Sequence, residues 1–241
     1  MAKIALVTGA NKGIGLETAR QLAKGGIHVI LAARDGAKGT AAAQKLKGED
    51  LDVEALTLDV SDPASIAAAV KQVGAKHGRL DILINNAGIG IDDHSKKVSE
   101  QTMETWRKTF DTNVFGLIAV TQAFLPLLAK SEAGRIVNLT SILGSLTLHA
   151  DPKSPIYSYK VPAYNVSKTA VNAWTLQLAY ELRDSKIKVN AVHPGHVKTD
   201  MGGAAAPMEV VDGAKTGVAM ALIGADGPNG SYTHLGRTLP W

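Results

Sequence analysis

The chain has 241 residues and a formal net charge of +4 at pH 7, and 45% of its residues are hydrophobic although only 5% are aromatic. This length suits one large α/β domain or two small ones, and the composition suits buried parallel strands covered by closely packed helices. The absence of cysteine excludes disulfides and thiolate metal sites, and lysines and arginines spread without a long basic run disfavour binding to nucleic acid or to a membrane surface.

Short apolar runs alternate with amphipathic stretches of helical length along most of the chain. The runs predict strands at 3–8, 28–33, 53–58, 80–85, 135–140 and 188–193, with a short seventh at 230–235. The intervening stretches predict helices at 14–25, 36–47, 63–77, 100–129 with a break near Asp111, 163–184 and 208–223. Because parallel neighbours need a crossover connection, this order predicts one α/β domain over residues 1–241, with a doubly wound parallel sheet of about seven strands and helices on both faces.

Two irregular stretches, 142–162 and 194–207, follow predicted strands at the carboxyl end, where ligands bind in such folds. The first is an inserted loop, and the second, extended to 194–210, is expected to be a lid over the substrate. The amino-terminal stretch MAKIALVTGA is too short for a signal peptide, and no later segment holds about 18 uninterrupted apolar residues. We therefore expect a soluble, cytoplasmic protein.

The sequence TGANKGIG at residues 8–15 directly follows the first predicted strand and opens the first helix. Gly9, Gly13 and Gly15 allow a tight turn, a close approach of backbone amides to a pyrophosphate, and close packing of the helix on the sheet. Their spacing is wider than the G-x-G-x-x-G of the usual dinucleotide fingerprint, and a glycine-rich turn without a ligand is the alternative interpretation.

The residue after the second strand indicates which dinucleotide is bound. A site selective for the free ribose hydroxyl carries Asp or Glu there, whereas this chain has Arg34. A guanidinium suits a 2′-phosphate, and Lys12 in the glycine loop can add a second cation, so NADP is predicted in preference to NAD. Asp35 leaves a second interpretation open, in which it pairs with Arg34 or binds the ribose.

Tyr164 and Lys168 lie four residues apart in the predicted helix 163–184, so their side chains share one face. A phenol titrates near pH 10 and needs help to exchange a proton at neutral pH, and a nearby cation lowers its pKa by about 1 to 3 units. The pair therefore predicts a proton-transfer site in which Lys168 lowers the pKa of Tyr164. An ordinary half-buried tyrosine is the alternative.

Several motifs occur together in a fixed order: TGANKGIG, LDV (58–60), NNAG (85–88), Asn113, NLTS (138–141), YNVSK (164–168) and PGHVKT (194–199). In this order and approximate spacing the chain resembles the short-chain dehydrogenase/reductase family over essentially its whole length. The closing GPNGSYTHLGRTLPW looks like the end of the carbonyl-reductase-like members. The resemblance implies a single-domain Rossmann fold and hydride transfer between a nicotinamide cofactor and a carbonyl or alcohol.

The resemblance also assigns roles to individual residues. It implies that Asn113, Ser141, Tyr164 and Lys168 are catalytic, that Asp59 meets the adenine ring, and that Thr199 bonds the nicotinamide carboxamide. The full set expected to hold the cofactor is Gly9, Asn11, Lys12, Gly13, Ile14, Gly15, Arg34, Asp59, Val60, Asn86, Ala87, Gly88, Tyr164, Lys168, Pro194, Gly195, Val197 and Thr199.

The stretch between Ser141 and Tyr164 is longer here than in most members of the family. Ser145 is therefore an alternative to Ser141, and the tyrosines of the insertion either line a pocket or pack the loop down. The expected substrate pocket comprises Ile142, Leu143, Tyr157, Tyr159 and Met201. No metal site is expected, because His149, His193 and His196 show no metal-ligand spacing on one element.

These observations predict an NADPH-dependent carbonyl reductase for ketones and aldehydes, with Tyr164 as general acid. A dehydrogenase of a specific secondary alcohol and a ketoacyl-carrier-protein reductase are the alternative enzymes, and an NADP-sensing regulator without turnover is the alternative of another class. The resemblance implies a dimer or tetramer formed through the two longest helices, although the insertion makes a monomer an alternative.

Overall fold

A computed structural model describes residues 2–241 and contains one eight-stranded sheet. The strands are β1 Ile4–Val7, β2 His28–Ala33, β3 Val53–Thr57, β4 Ile82–Asn85, β5 Arg135–Leu139, β6 Lys188–Val192, β7 Tyr232–His234 and β8 Arg237–Thr238. Their spatial order is β3-β2-β1-β4-β5-β6-β7-β8, and all neighbours except β7 and β8 are parallel. The chain reverses its direction of winding between β1 and β4, which is where ligands bind in doubly wound sheets.

Both faces of the sheet are covered by helices, as predicted. The helices are α1 Gly13–Lys24, α2 Gly36–Lys47, α3 Pro63–His77, α4 Met103–Phe110, α5 Leu117–Leu128, α6 Leu146–Ala150, α7 Pro162–Glu181 and α8 Val210–Ala221. Alternate residues of β1 enter two separate cores: Ile4 and Leu6 face the layer of α3, α5 and α7, while Ala5 and Val7 face α1, α2 and α8. The continuous apolar runs of the strands thus reflect burial on both faces.

The predicted break near Asp111 is confirmed, and its form is a π-helical turn over Asp111–Gly116 between α4 and α5. A methyl group on Gly116 would lie 2.7 Å from the carbonyl oxygen of Val60, so the π-helical turn packs tightly against the segment that follows β3. The run Met103–Leu128 is long and apolar enough to cross a membrane, but half of its most apolar window is buried within the protein. We assign it to the core.

Two segments differ from the sequence-based expectation. The insertion 142–162 contains a 3₁₀ turn at Ile142–Gly144 and the short helix α6, whose first turn is capped by the Ser145 hydroxyl. An eighth strand follows β7 through a two-residue turn, Leu235–Gly236, in which both residues have positive φ. Such turns usually contain Asn-Gly or Asp-Gly, so Leu-Gly gave no hairpin signal.

Candidate active site

The glycine loop is fixed between β1 and the segment that follows β4. Gly9 has φ +63°, and a Cβ there would lie 2.9 Å from the Cα of Ala87. The Thr8 hydroxyl accepts hydrogen bonds from the backbone N–H groups of Asn86 and Ala87, both at 3.0 Å, and the Asn86 side-chain amide donates to the carbonyls of Thr8 and Gly9. Backbone contact this close requires glycine at position 9.

The amino end of α1 leaves its first amides free for an anion. Its N-cap residue, Lys12, makes no capping hydrogen bond, and the helix begins at Gly13, φ +57°, with Ile14 and Gly15 in its first turn after Asn11. Free N–H groups at a helix start favour negative charge. This end of the helix is therefore suited to a pyrophosphate.

Arg34 and Asp35 have different roles. The Asp35 carboxylate accepts a hydrogen bond from the Lys38 amide at 3.1 Å and so caps α2, while no hydrogen bond or ion pair within residues 2–241 engages the Arg34 guanidinium. Arg34 lines a cleft of about 490 Å³ together with Val60, Ser61 and Lys108. A free, exposed guanidinium in this cleft fits a phosphate better than the capping carboxylate fits a ribose hydroxyl.

The Lys12 ammonium pairs with Asp200 at 2.5 Å, beyond the end of β6. The Asp59 carboxylate is also engaged, since it accepts hydrogen bonds from the backbone N–H and the hydroxyl of Ser61 at 2.9 and 2.7 Å. Asp59 therefore fixes the turn after β3 at the rim of the cleft.

Asn113 lies in the π-helical turn and is completely buried. Its side chain accepts a hydrogen bond from the Ile89 amide and donates to the Ile89 carbonyl, both at 2.8 Å, and it also donates to the Ser167 hydroxyl at 3.0 Å. A Cβ on Gly88 would lie 3.4 Å from both the Asn113 Oδ1 and the Lys168 Nζ. The NNAG turn thus brings Asn113, α7 and the glycine loop together.

The four predicted catalytic residues converge at the carboxyl ends of β4 and β5. Lys168 Nζ donates to the Leu139 carbonyl at 3.0 Å and lies 5.6 Å from the centre of the Tyr164 ring, and the Ser141 side chain is hydrogen-bonded to the Tyr164 phenol. Ser145 instead caps α6 through the Leu148 amide, so it does not replace Ser141.

The electrostatics of the pair differ from the expectation that Lys168 lowers the pKa of Tyr164. Burial raises the pKa of Tyr164 to about 12, the hydrogen bond with Ser141 opposes this only in part, and the Tyr159 phenol raises it further. Burial also lowers the pKa of Lys168 to about 8. Desolvation is the largest cause of both shifts, and Tyr164 is a protonated acid at neutral pH.

Residues after β6 form a further side of the candidate site. Pro194 and Gly195, φ +96°, turn the chain, and Val197 bridges to Met208, closing the segment predicted as a lid. Thr199 Cγ2 lies 3.4 Å from a Cβ placed on Gly13. A Cβ on Gly90 would lie 3.4 Å from the Tyr164 ring and 3.8 Å from Met201, so Met201 lies close to Tyr164.

The insertion runs from Ser141 to the start of α7. Tyr157 and Tyr159 are both exposed, with the Lys160 ammonium over the Tyr157 ring at 5.1 Å, and Ile142 and Leu143 form the turn directly after Ser141. The histidines have packing roles: His149 contacts the Leu143 carbonyl and His196 that of Gly202. Burial lowers the pKa of His193 to about 3.

Two residues that support the site gave no sequence signal. The buried Asp92 accepts hydrogen bonds from the backbone N–H groups of Ala163 at 2.8 Å and Tyr164 at 3.0 Å, and so caps α7, whose own N-cap residue, Val161, has no capping side chain. The buried Tyr232 donates its hydroxyl to the Ser141 carbonyl at 2.7 Å. Both contacts join residues far apart in sequence.

The switch point of the sheet, the free amino end of α1 and the convergent Ser141, Tyr164, Lys168 and Asn113 define a nucleotide-binding α/β oxidoreductase. Residues 3–209 match the family described as short chain dehydrogenase, and the chain belongs to this family. It is therefore an enzyme that interconverts hydroxyl and carbonyl groups.

Similar proteins include carbonyl reductases and a neomenthol dehydrogenase. NADPH carbonyl reductase 1 of Mus musculus is 34% identical, and the alignment covers 99% of this chain and 98% of that protein. The (+)-neomenthol dehydrogenase of Capsicum annuum is 32% identical over 95% of each chain. The NADPH-bound carbonyl reductase from chicken fatty liver has a TM-score of 0.87 at 29% identity and covers 100% of this chain and 99% of its own. The predicted fold and the carbonyl-reductase-like resemblance are thus confirmed.

Proposed function

We propose that this protein is an NADPH-dependent carbonyl reductase that converts ketones or aldehydes to alcohols. The observation that carries the proposal is the Tyr164 phenol, hydrogen-bonded to Ser141 and held protonated by burial next to Lys168. A protonated acid beside a hydroxyl donor suits reduction, in which a carbonyl oxygen must gain a proton.

The residues present fit NADP. The close approach of Gly9 to Ala87 and the uncapped start of α1 form a cradle for a pyrophosphate, and Arg34 offers a free guanidinium to a 2′-phosphate. Lys168 lies beside Gly88 and Asn113, where it can hold the ribose hydroxyls next to the nicotinamide. When bound, the reduced nicotinamide supplies a hydride to the carbonyl carbon.

The chain's own residues handle the proton and the carbonyl. Ser141 donates a hydrogen bond to the substrate oxygen, and Tyr164 transfers its phenolic proton to that oxygen as the carbonyl is reduced. Lys168 and Asn113, which flank Gly88, return a proton to the phenolate. Positioned acids of this kind accelerate reactions by about 10²- to 10⁴-fold.

The proposed substrate is uncharged and apolar. Met201 lies close to Tyr164 across Gly90, and the nearby chain segments expose the large apolar side chains of Ile91, Tyr157 and Tyr159. The names of the relatives, carbonyl reductase and neomenthol dehydrogenase, fit ketones or secondary alcohols as substrates.

The test is steady-state oxidation of NADPH and of NADH with aryl ketones, aliphatic ketones and ketoesters, together with the reverse reaction on secondary alcohols. Tyr164→Phe should lose about 10²- to 10⁴-fold in kcat while still binding NADPH. An unchanged kcat in Tyr164→Phe would show that Tyr164 is not the general acid. Tight NADPH binding by the wild type without turnover on any substrate favours the sensor alternative or a carrier-bound substrate.

Cofactor preference is tested separately with Arg34→Ala, which should reduce the ratio of NADPH to NADH efficiency by about 10- to 100-fold, the value of a hydrogen bond to a charged group. Lys38→Ala is the matched control, because Lys38 is a neighbouring exposed cation whose side chain faces Asp35. An equal loss in both variants contradicts a specific role for Arg34.

A further inference from the structure

A second cluster of polar side chains lies at the opposite edge of the sheet from the candidate active site. It comprises His28 at the start of β2, Glu54 on β3 and His77 at the end of α3. His28 is six residues before Arg34 along β2, which separates the cluster from the nucleotide cleft by about 20 Å. The cluster is therefore independent of the proposed reductase activity.

The three side chains direct one ligand atom each toward a common point. Glu54 Oε1 lies 2.6 Å from His77 Nε2 and 3.4 Å from His28 Nε2, and the three atoms all lie within 4.8 Å of one another. The side chains are only 12 to 19% exposed. The arrangement is thus a shallow, mostly dry pocket that ions can still reach from solvent.

The carboxylate of Asp52 fixes the orientation of the His28 ring. Its Nδ1 lies 2.8 Å from Asp52 Oδ1, so the neutral ring carries its proton on Nδ1 and directs the Nε2 lone pair into the cluster. This Nε2 is buried and makes no hydrogen bond within residues 2–241. A carboxylate that orients a histidine in this way is the usual outer partner of a metal-ligating imidazole.

The charge of the cluster favours a cation. Lys76 pairs with Oε2 of Glu54, which leaves Oε1 facing the two imidazoles. With neutral imidazoles, the carboxylates of Glu54 and Asp52 outnumber the Lys76 ammonium. Two imidazole nitrogens and one carboxylate oxygen form a ligand set that zinc commonly takes, with water in the fourth position.

We propose that His28, Glu54 and His77 bind a divalent transition-metal ion of the Zn²⁺ type. Ligand atoms around tetrahedral zinc are separated by about 3.3 Å, so the pair His28 Nε2 and Glu54 Oε1 already has this spacing. The ion links edge strand β3 to β2 and α3, and its role is structural. The sequence gave no signal for this site because its ligands lie on three elements rather than at a fixed local spacing.

The test uses the full chain, free of a histidine tag and treated with chelator, titrated with Co²⁺ and then displaced by Zn²⁺. The wild type should bind one ion per chain, with the visible ligand-field absorption of cobalt held by nitrogen and oxygen. Asp52→Asn should weaken binding by about 10- to 100-fold, as expected for an outer partner, and His28→Gln and His77→Gln should weaken it further. His94→Gln, which removes an exposed histidine elsewhere, is the matched control.

Circular dichroism of each metal-free variant shows whether the variant folds. If a variant does not fold, the cobalt spectrum of the wild type still tests the ligand set. The proposal is overturned if the wild type binds no stoichiometric ion. It is also overturned if folded His28→Gln and His77→Gln bind the metal as tightly as His94→Gln does. Reductase activity is not the readout, so failure here leaves the proposed enzyme untouched.

Discussion

The nucleotide-binding and catalytic regions differ in burial. The residues that follow β1, β2 and β3 carry exposed charges, whereas the pocket around Tyr164 is lined by buried polar side chains that hydrogen-bond to backbone groups and to one another. In the first region, the nucleotide half (residues 8–15, 34–35 and 59–61), the charged groups Arg34 and Lys12 are exposed. In the second, the catalytic half (residues 85–92, 113, 138–141 and 164–168), Asn113, Ser141 and Lys168 are buried.

A buried amide chain beneath the site illustrates the difference. Asn85 donates to both Thr121 and Asn138 at 2.9 Å, and Asn138 donates to Thr175 at 2.9 Å, so β4, β5, α5 and α7 are joined through side chains. Such bonds are stronger in a low-dielectric interior than at the surface, and an unpaired member is costly. Changes in the catalytic half should therefore have larger effects than changes in the nucleotide half.

After Tyr164→Phe, the largest expected effect is that of Ser141→Ala. Loss of a hydroxyl that donates to the substrate oxygen should reduce kcat by about 10²- to 10³-fold with NADPH affinity unchanged, because this hydroxyl is proposed to bind the substrate and not the cofactor. Ser145→Ala is the matched control. It removes the α6 cap at a cost of about 1 kcal/mol in stability but should leave kcat within a few-fold. A larger loss of kcat in Ser145→Ala than in Ser141→Ala would reverse the assignment of the two serines.

The next effect is the pH dependence of stability that Lys168 causes. Its pKa is lowered to about 8 in the folded protein from 10.5, so the unfolded chain binds more protons between these values. The destabilising contribution of Lys168 is fully present below pH 8 and is relieved as pH rises to 10.5, by about 1.4 kcal/mol for each unit of pKa difference.

Urea unfolding of the wild type and Lys168→Met from pH 7 to about 10 isolates this contribution, because other groups cancel in the difference. The wild type should gain stability relative to the variant as pH rises. Tyr164 acts in the opposite direction only above pH 10, since its pKa is raised from 10.0 to about 12. A pH-independent difference between the two proteins would show that Lys168 is not desolvated.

A smaller effect is expected for Asp92→Asn. The amide keeps one acceptor but loses the charge at the amino end of α7, which should lower stability by about 1 to 2 kcal/mol and displace Tyr164. kcat should fall with little change in the NADPH Kd. Asp93→Asn, which alters an exposed carboxylate next in sequence, is the control. An Asp92→Asn protein with wild-type kcat would mean that the cap does not position the tyrosine.

The smallest effect is expected in the nucleotide half, from Lys12→Ala. Lys12 and Asp200 are 68% and 80% exposed, and such pairs add little stability in water. The thermal midpoint should be unchanged at low and at high salt, and Asp200→Ala should behave identically. A clear fall in the thermal midpoint of both variants at low salt would mean that the pair holds the segment after β6 onto the glycine loop.

Much of the site was predictable because its residues follow strands. Parallel strands bring their carboxyl ends to one edge, so the positions of Gly9, Arg34, Asn86 and Ser141 followed from the strand assignments, whereas Thr199 was expected only from the family resemblance. The direction of the Tyr164 pKa shift was wrong, because the sequence gives the neighbouring cation but not the depth of burial. Cytoplasmic localisation and homo-oligomerisation stay predictions.

The sequence by itself determined the alternation of strands and helices, the glycine loop and the break near Asp111. It also determined that Ser141, Tyr164 and Lys168 are the candidate catalytic residues, since all these features depend on local periodicity and short motifs. Only the tertiary structure decided the cap on α7, where Asp92 and Ala163 are 71 positions apart, and the support of Ser141 by Tyr232, 91 positions away. The cluster of His28, Glu54 and His77 is of the same kind. Such contacts arise where packed elements meet, and no local spacing along the chain encodes them.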